Sequence, residues 1–441
     1  MNIKKTSEKK YIPLYFIETI KTFFNKELCL GLYFLWFILG MTAGFGLQYD
    51  EFRVFQVTLL LIVSWFYHQY FVTKVELLFF AFIALGSFFW AQPVVIIVDM
   101  LLFYLLYKSF YLLSYQHLLT KLIVLSSLVL FLLLPLSLWD YISTGVYYPN
   151  WYPQLWSIRT YDSYFFIIAI FAVWFYLTET RYRFLYLLFL FLAFLAVLLD
   201  GGRSVTLAYT VFIVIVSMFH RKARWPLISI YFASWLIYIV VNYAAILNNT
   251  NLKAVSLRVA RESSSGRYDL WENAFQCWWH HPIIGCGFYQ LDKYPNLSAH
   301  PHNLFIQILT ETGLIGFSFL AFIIFQIVKQ INWDLKQNYF VIAALLAVSI
   351  DMSLSGIYVY PITQMALLWL FVFLLKNPEF SHAQYFSQPS KCRAIINNYI
   401  SIIIYLILAV IFFYIFVSTN VLIDAEASKP PRFWMNGYKI F

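Results

Sequence analysis

Residues 184–204 read FLYLLFLFLAFLAVLLDGGRS, an unbroken apolar run that ends in a turn of Asp200, Gly201, Gly202, Arg203 and Ser204. A helix on the surface of a soluble domain carries a polar face, and this run has none. It predicts a helix that crosses a bilayer and stops at the membrane surface. Comparable stretches of about 18 to 22 mostly apolar residues recur along the chain, the length a helix needs to cross the hydrocarbon while satisfying its own backbone groups. The 441 residues are 62% hydrophobic and 22% aromatic, with only 12% charged. Mean hydropathy is +0.72, more apolar surface than a soluble core can use. The expected fold is therefore all-α: a polytopic helical integral membrane protein with about 12–13 transmembrane helices and one large periplasmic loop.

Outward from that run, the chain divides into a basic leader on the cytoplasmic side (1–27), transmembrane helices one to nine (28–246), a large periplasmic loop (247–301), helices ten to thirteen (302–417) and a polar tail (418–441). The leader carries Lys4, Lys5, Lys9 and Lys10 but no short apolar core followed by a small-residue cleavage site, so the first span reads as a retained signal anchor. Span five covers 122–139, and the Tyr-, Trp- and Pro-rich segment after it suits the headgroup level. With the leader inside, 19 of the 30 lysines and arginines fall on the inner face. The bias is clear among the short loops, which set orientation. Arg203 and residues 266–301 then face outwards, into the periplasm of a multi-pass protein in a bacterial inner membrane. The formal net charge of +9 is accounted for by topology and implies no nucleic acid.

The polar segment from Gly266 to Gly316 stands between two apolar blocks and holds the groups that carry chemistry. Arg267 follows Ser263-Ser264-Ser265-Gly266 and opens a helix-like stretch through Tyr268, Asp269 and Glu272. It is read either as an added positive charge at a helix N-terminus, which favours an anion, or as a solvated partner of Asp269 or Glu272. Arg203 has two readings as well. It is an interface anchor that snorkels or pairs with Asp200, or a clamp whose guanidinium grips phosphate oxygens in two-pronged fashion. Asn303, Gln307 and Glu311 recur every four residues, on one helical face. Such a stripe is unfavourable against lipid and is expected to line a cavity. His302 beside it titrates near neutrality, which suits a base or a hydrogen-bond donor to a leaving group.

Other polar groups carry less. Cys277 and Cys286 share the external segment, where they either pair or remain free as small apolar residues, and Cys29 and Cys392 lie far off. His280-His281 and His300-Pro301-His302 do not complete a metal-ligand spacing, so no metal is expected. Asp99 and Asp351, within spans four and eleven, are candidates for proton or ion movement, but as two isolated acids they do not make a coupled pathway.

The runs RYDLWENAF (267–275), HPIIGCG (281–287) and HNLFIQILTETGLIG (302–316) together resemble the signature of the O-antigen ligase superfamily. That family includes O-antigen ligases, some O-antigen polymerases and bacterial protein O-oligosaccharyltransferases. The resemblance implies en bloc transfer of a glycan from undecaprenyl diphosphate at the outer face of the inner membrane, without metal or other cofactor. It implies that Arg203 and Arg267 hold the diphosphate and that His302 contacts the reacting centre. Tyr268, Asp269, Asn303, Gln307 and Glu311 then surround the substrate, and His302, Glu311 or Asp269 takes the acceptor's proton. The implied partners are the lipid-linked donor, membrane lipid and an acceptor: lipid A-core first, a protein such as a pilin second, a further glycan chain third. Two features depart from the family. Gly201 and Gly202 stand where serines are often found, and thirteen spans with an outer tail replace the usual twelve with an inner C-terminus. A different class, a lipid-linked glycan flippase or other transporter, is expected to place charges near the midplane on repeated, broken helices. Here the polar groups gather at one face.

Overall fold

A computed structural model describes residues 26–45, 47, 49–66, 74–90, 93–113, 117–145, 147, 158–248, 267–288, 300–377 and 410. The chain is an all-α polytopic membrane protein, and no strand occurs among the described residues. Its helices are α1 (Lys26–Gly40), α2 (Tyr49–Phe66), α3 (Lys74–Ser87), α4 (Pro93–Leu113), α5 (His117–Ser126), α6 (Leu134–Thr144) and α7 (Ile158–Thr178). These are followed by α8 (Arg183–Asp200), α9 (Arg203–Phe219), α10 (Arg221–Asn248), α11 (Arg267–His280), α12 (Leu304–Gln330), α13 (Leu335–Leu354) and α14 (Pro361–Lys376). Among the described residues, six segments are long and apolar enough to cross a membrane, while α9 and α14 are apolar but shorter.

Expected span five is one of the six, at His117–Thr144, and it is not a plain helix. A 3-10 turn at Ser127–Phe131 separates α5 from α6. Pro135, near the start of α6, has no N–H to continue an α-helical ladder across that point. Nearly all of expected span thirteen (395–417) and of the leader, the whole tail and most of the large loop lie outside the described residues.

A helix that is apolar all round belongs in the middle of a bundle. Every residue of α7 from Thr160 to Tyr176 is buried, and α14 is buried from Pro361 to Leu370. These two helices pack on each other, α8 packs on α7, and α9 runs along α13. By contrast α10 leaves Phe232, Leu236, Ile239, Val240 and Tyr243 exposed, a face suited to lipid. One end of the bundle is tied by ion pairs, Lys108 to Glu76 at 2.6 Å and Lys121 to Glu179 at 2.5 Å. The opposite end holds the start of α7, the α8–α9 turn, the start of α11 and the α13–α14 turn. The candidate site is built there.

Candidate functional site

The signature segment forms a broken helix and the piece that fills the break. The backbone of α12, which corresponds to expected span ten, leaves the helical region at Gly313, with φ 63° and ψ −161°. Residues 282–287 supply the missing partners. The N–H groups of Cys286 and Gly287 donate to the carbonyls of Thr310 and Glu311 (2.8 and 3.0 Å), while those of Leu314 and Ile315 donate to Pro282 and Ile283 (2.9 and 3.2 Å). Left unpaired in a buried setting, each of these groups would cost roughly 1–3 kcal/mol. The fit requires glycine on both sides: a Cβ on Gly285 would strike the Glu311 carbonyl, and one on Gly313 would strike the backbone of Ile283 and Gly285.

α11 is fastened to the same unit. Cys277 and Cys286 form a disulfide, the Trp271 indole donates to the Pro301 carbonyl at 2.8 Å, and the Thr310 hydroxyl reaches the Ala274 carbonyl at 3.3 Å. Leu270 and Ala274 are the buried residues of this helix, which packs on α12. Tyr268 and Asp269 are exposed on it, Tyr268 at 71%, so they are not brought against the bundle.

Arg203 and Arg267 are each the first residue of a helix, α9 and α11 respectively. Each guanidinium therefore adds to the positive end of a helix dipole, an arrangement that favours an anion. The glycines before Arg203 have a structural reason. Gly201 ends α8 in the left-handed region (φ 75°) while its N–H and that of Gly202 close the last turn onto Leu198 and Val197. A Cβ on Gly202 would run into the carboxylate of Asp162. Serine at these positions would be strained at the first and crowded at the second.

Both arginine-bearing helix starts act on one carboxylate near the end of α13. Asp351 is fully buried, and its Oδ2 accepts a hydrogen bond from Ser163 of α7 at 2.8 Å. Ser204, next to Arg203, acts on the same carboxylate, as do Ser355 and the guanidinium of Arg267. Asp351 thus ties α13 to α7 through Ser163, and the starts of α9 and α11 act on the same carboxylate.

His302 sits on the α12 side of this end, in the left-handed region at φ 53°. Its ring meets that of His300 edge-on, with centroids 4.3 Å apart. His300 is itself buried between Gly356 and the Tyr360 ring, 5.8 Å away. Asn303 caps α12, its Oδ1 accepting from the Ile306 N–H at 3.1 Å. The Asn303, Gln307 and Glu311 stripe is polar and on one face as expected, but it packs mostly against protein. Gln307 and Glu311 are 1% and 6% exposed. The Gln307 amide faces both Glu311 oxygens at 3.4 Å and accepts from the Tyr358 hydroxyl at 2.8 Å.

The site therefore gathers Arg203, Arg267, Asp351, the histidine pair and the Gln307–Glu311 pair at one end of the bundle. Asp99 is buried in α4, and His280 and His281 are exposed at the end of α11. Sequence reasoning singled out Asp351 without its partners and did not point to Ser163 or Tyr358. The one available signal was a charge set at the end of an apolar run, as at Asp351. Chemically, the arrangement offers an anion-binding half and an acid–base half. Residues 188–321 match the family model described as O-Antigen ligase, which supports membership of the O-antigen ligase superfamily. No curated protein and no solved structure matches the chain.

Proposed function

We propose, from the O-antigen ligase domain that the chain carries, that this membrane glycosyltransferase moves a preassembled glycan en bloc from undecaprenyl diphosphate to an acceptor hydroxyl at the periplasmic face of the inner membrane. Lipid A-core is the acceptor we favour. The observation that carries this reading is the placing of two arginines at two helix N-termini that share the Asp351 junction, beside a histidine pair.

The reaction follows from those groups. Arg203 and Arg267 hold the diphosphate, and His302 takes the proton as the acceptor oxygen attacks the first sugar carbon from the side opposite the diphosphate. The new carbon–oxygen bond forms as the sugar–phosphate bond breaks. Its electron pair stays on the diphosphate, where preorganised guanidinium groups stabilise the added charge. The acceptor needs only to be positioned, and no metal is used in this scheme.

The test is made in cells that lack the chromosomal gene. Arg267→Ala and His302→Ala each lower transfer on the order of 10²-fold or more while protein level is kept and lipid-linked glycan accumulates. Wild-type transfer by both variants would end the proposal. The deletion strain reports the acceptor: glycan lost from lipopolysaccharide supports lipid A-core, whereas glycan lost from a surface protein moves the assignment to protein O-glycosylation.

A further inference from the structure

Arg53 lies in the first turns of α2 and is 1% exposed, although it carries a full charge. Its Nη1 donates to Gln364 Oε1 at 2.7 Å and to Gln56 Oε1 at 2.9 Å, and its Nη2 reaches the Val359 carbonyl at 3.3 Å. The two glutamines extend the clasp. Gln56 Nε2 donates to the Pro361 carbonyl at 3.1 Å, and Gln364 Nε2 to the Tyr358 carbonyl at 2.9 Å. Three carbonyls of one turn, at 358, 359 and 361, are thus held by a single buried guanidinium and its two amides.

That turn, residues 355–361, faces the reacting half of the site. It sets Gly356 beneath His300 and Tyr360 against the same ring, and it aims the Tyr358 hydroxyl at Gln307. A buried arginine is costly unless its donors are satisfied by well-placed acceptors, and here one acceptor, the Val359 carbonyl, belongs to the turn that backs the histidine pair while the other two, Gln56 and Gln364, themselves donate to that turn's Pro361 and Tyr358 carbonyls. We propose that Arg53 is a positioning residue, whose guanidinium clasps the 355–361 turn and through it sets the His300–His302 pair and Gln307 for the acid–base step. Arg53 does not touch substrate. Its influence falls on the reacting half, whereas Arg203 and Arg267 serve the diphosphate half. The inference rests on the transfer reaction proposed above.

The decisive variant is Arg53→Lys, which keeps the charge but replaces a planar fork by a point donor that cannot engage the three acceptors together. Full-length protein in nanodiscs is assayed for kcat and donor KM with lipid-linked glycan, and for binding of undecaprenyl diphosphate as a probe. We expect kcat to fall about 10- to 100-fold, with KM and probe binding within about twofold of wild type. Wild-type kcat, or probe binding lost in proportion to transfer, would overturn the inference. Should Arg53→Lys fail to accumulate, Tyr358→Phe carries the test, since it removes one hydroxyl and nothing else. There we expect kcat to fall about fivefold with probe binding unchanged, and an unchanged kcat overturns the inference. Failure of the transfer reading itself shows separately, as wild-type transfer by His302→Ala.

Discussion

Asp351 is a carboxylate with no exposure to solvent, set where Ser163, Ser204, Ser355 and Arg267 converge. A neutral Asn of nearly the same shape keeps the packing and removes the carboxylate that Ser163 and the Arg267 guanidinium act on. Whether that loosens Arg267 or leaves it holding the diphosphate product too long, turnover falls; we expect about tenfold, roughly 1.4 kcal/mol. Because Asp351 acts through Arg267, the Asp351→Asn and Arg267→Lys effects should be less than additive. A normalised transfer assay on the two single variants and the double variant checks this, and full additivity would separate the residues. At this scale the sequence is legible where chemistry resides in residue type: two arginines before helices and a histidine before Asn303 announce an anion and a proton. It is illegible where the partner is remote. Ser163 and Asp351 are 188 positions apart, and Arg53 and Gln364 are 311 apart, so a single chain offers no hint that either pair meets. Arg53, in a short link between two spans, reads as an ordinary loop charge until its burial is seen.

Among the elements, α12 shows how a correct periodicity can hide a discontinuity. The spacing of Asn303, Gln307 and Glu311 marks one helical face, and that face exists; glycine within an apolar run is common, so Gly313 gives no sign that the helix breaks there. The break becomes meaningful only with residues 282–287 in place, because their backbone completes the ladder on both sides of it. This also explains the glycines of the HPIIGCG run, which serve architecture, leaving the chemistry to the arginines and histidines around them. Alanine at Gly313 must adopt a backbone conformation essentially reserved for glycine, and its Cβ would strike the opposing chain. We expect a loss of about 3 kcal/mol or more, read as a lowered midpoint of thermal unfolding in detergent. Alanine at Gly44, where the added carbon meets nothing within 4 Å, is the control and should leave the midpoint near wild type. A Gly313→Ala protein as stable as the control would mean that α12 does not need its break.

For the whole molecule, burial and charge make a single orientation argument. The largely apolar α7 and α14 sit in the middle, with a few polar residues buried near their starts, while α10 leaves exposed an apolar side suited to lipid. The basic residues Arg221, Lys222 and Arg224 open α10 just past the end of α9, one helix length away from Arg203 at the start of α9. On the function proposed above, the positive-inside bias would put the basic end in the cytoplasm and the end with Arg203, Arg267 and His302 in the periplasm, where a lipid-linked glycan would be presented. Exposed positions at the two ends test this directly. In a background with Cys29 and Cys392 replaced by serine, a cysteine at Tyr268 should react with a membrane-impermeant maleimide once the outer membrane is opened. One at Lys222 should react only after the inner membrane is breached. Both side chains are exposed, so access to the reagent and not burial decides the labelling. Labelling of the Lys222 position from the periplasm would invert the molecule and put both arginines in the cytoplasm, on the wrong side for a glycan that is joined to its acceptor outside the cell's inner membrane.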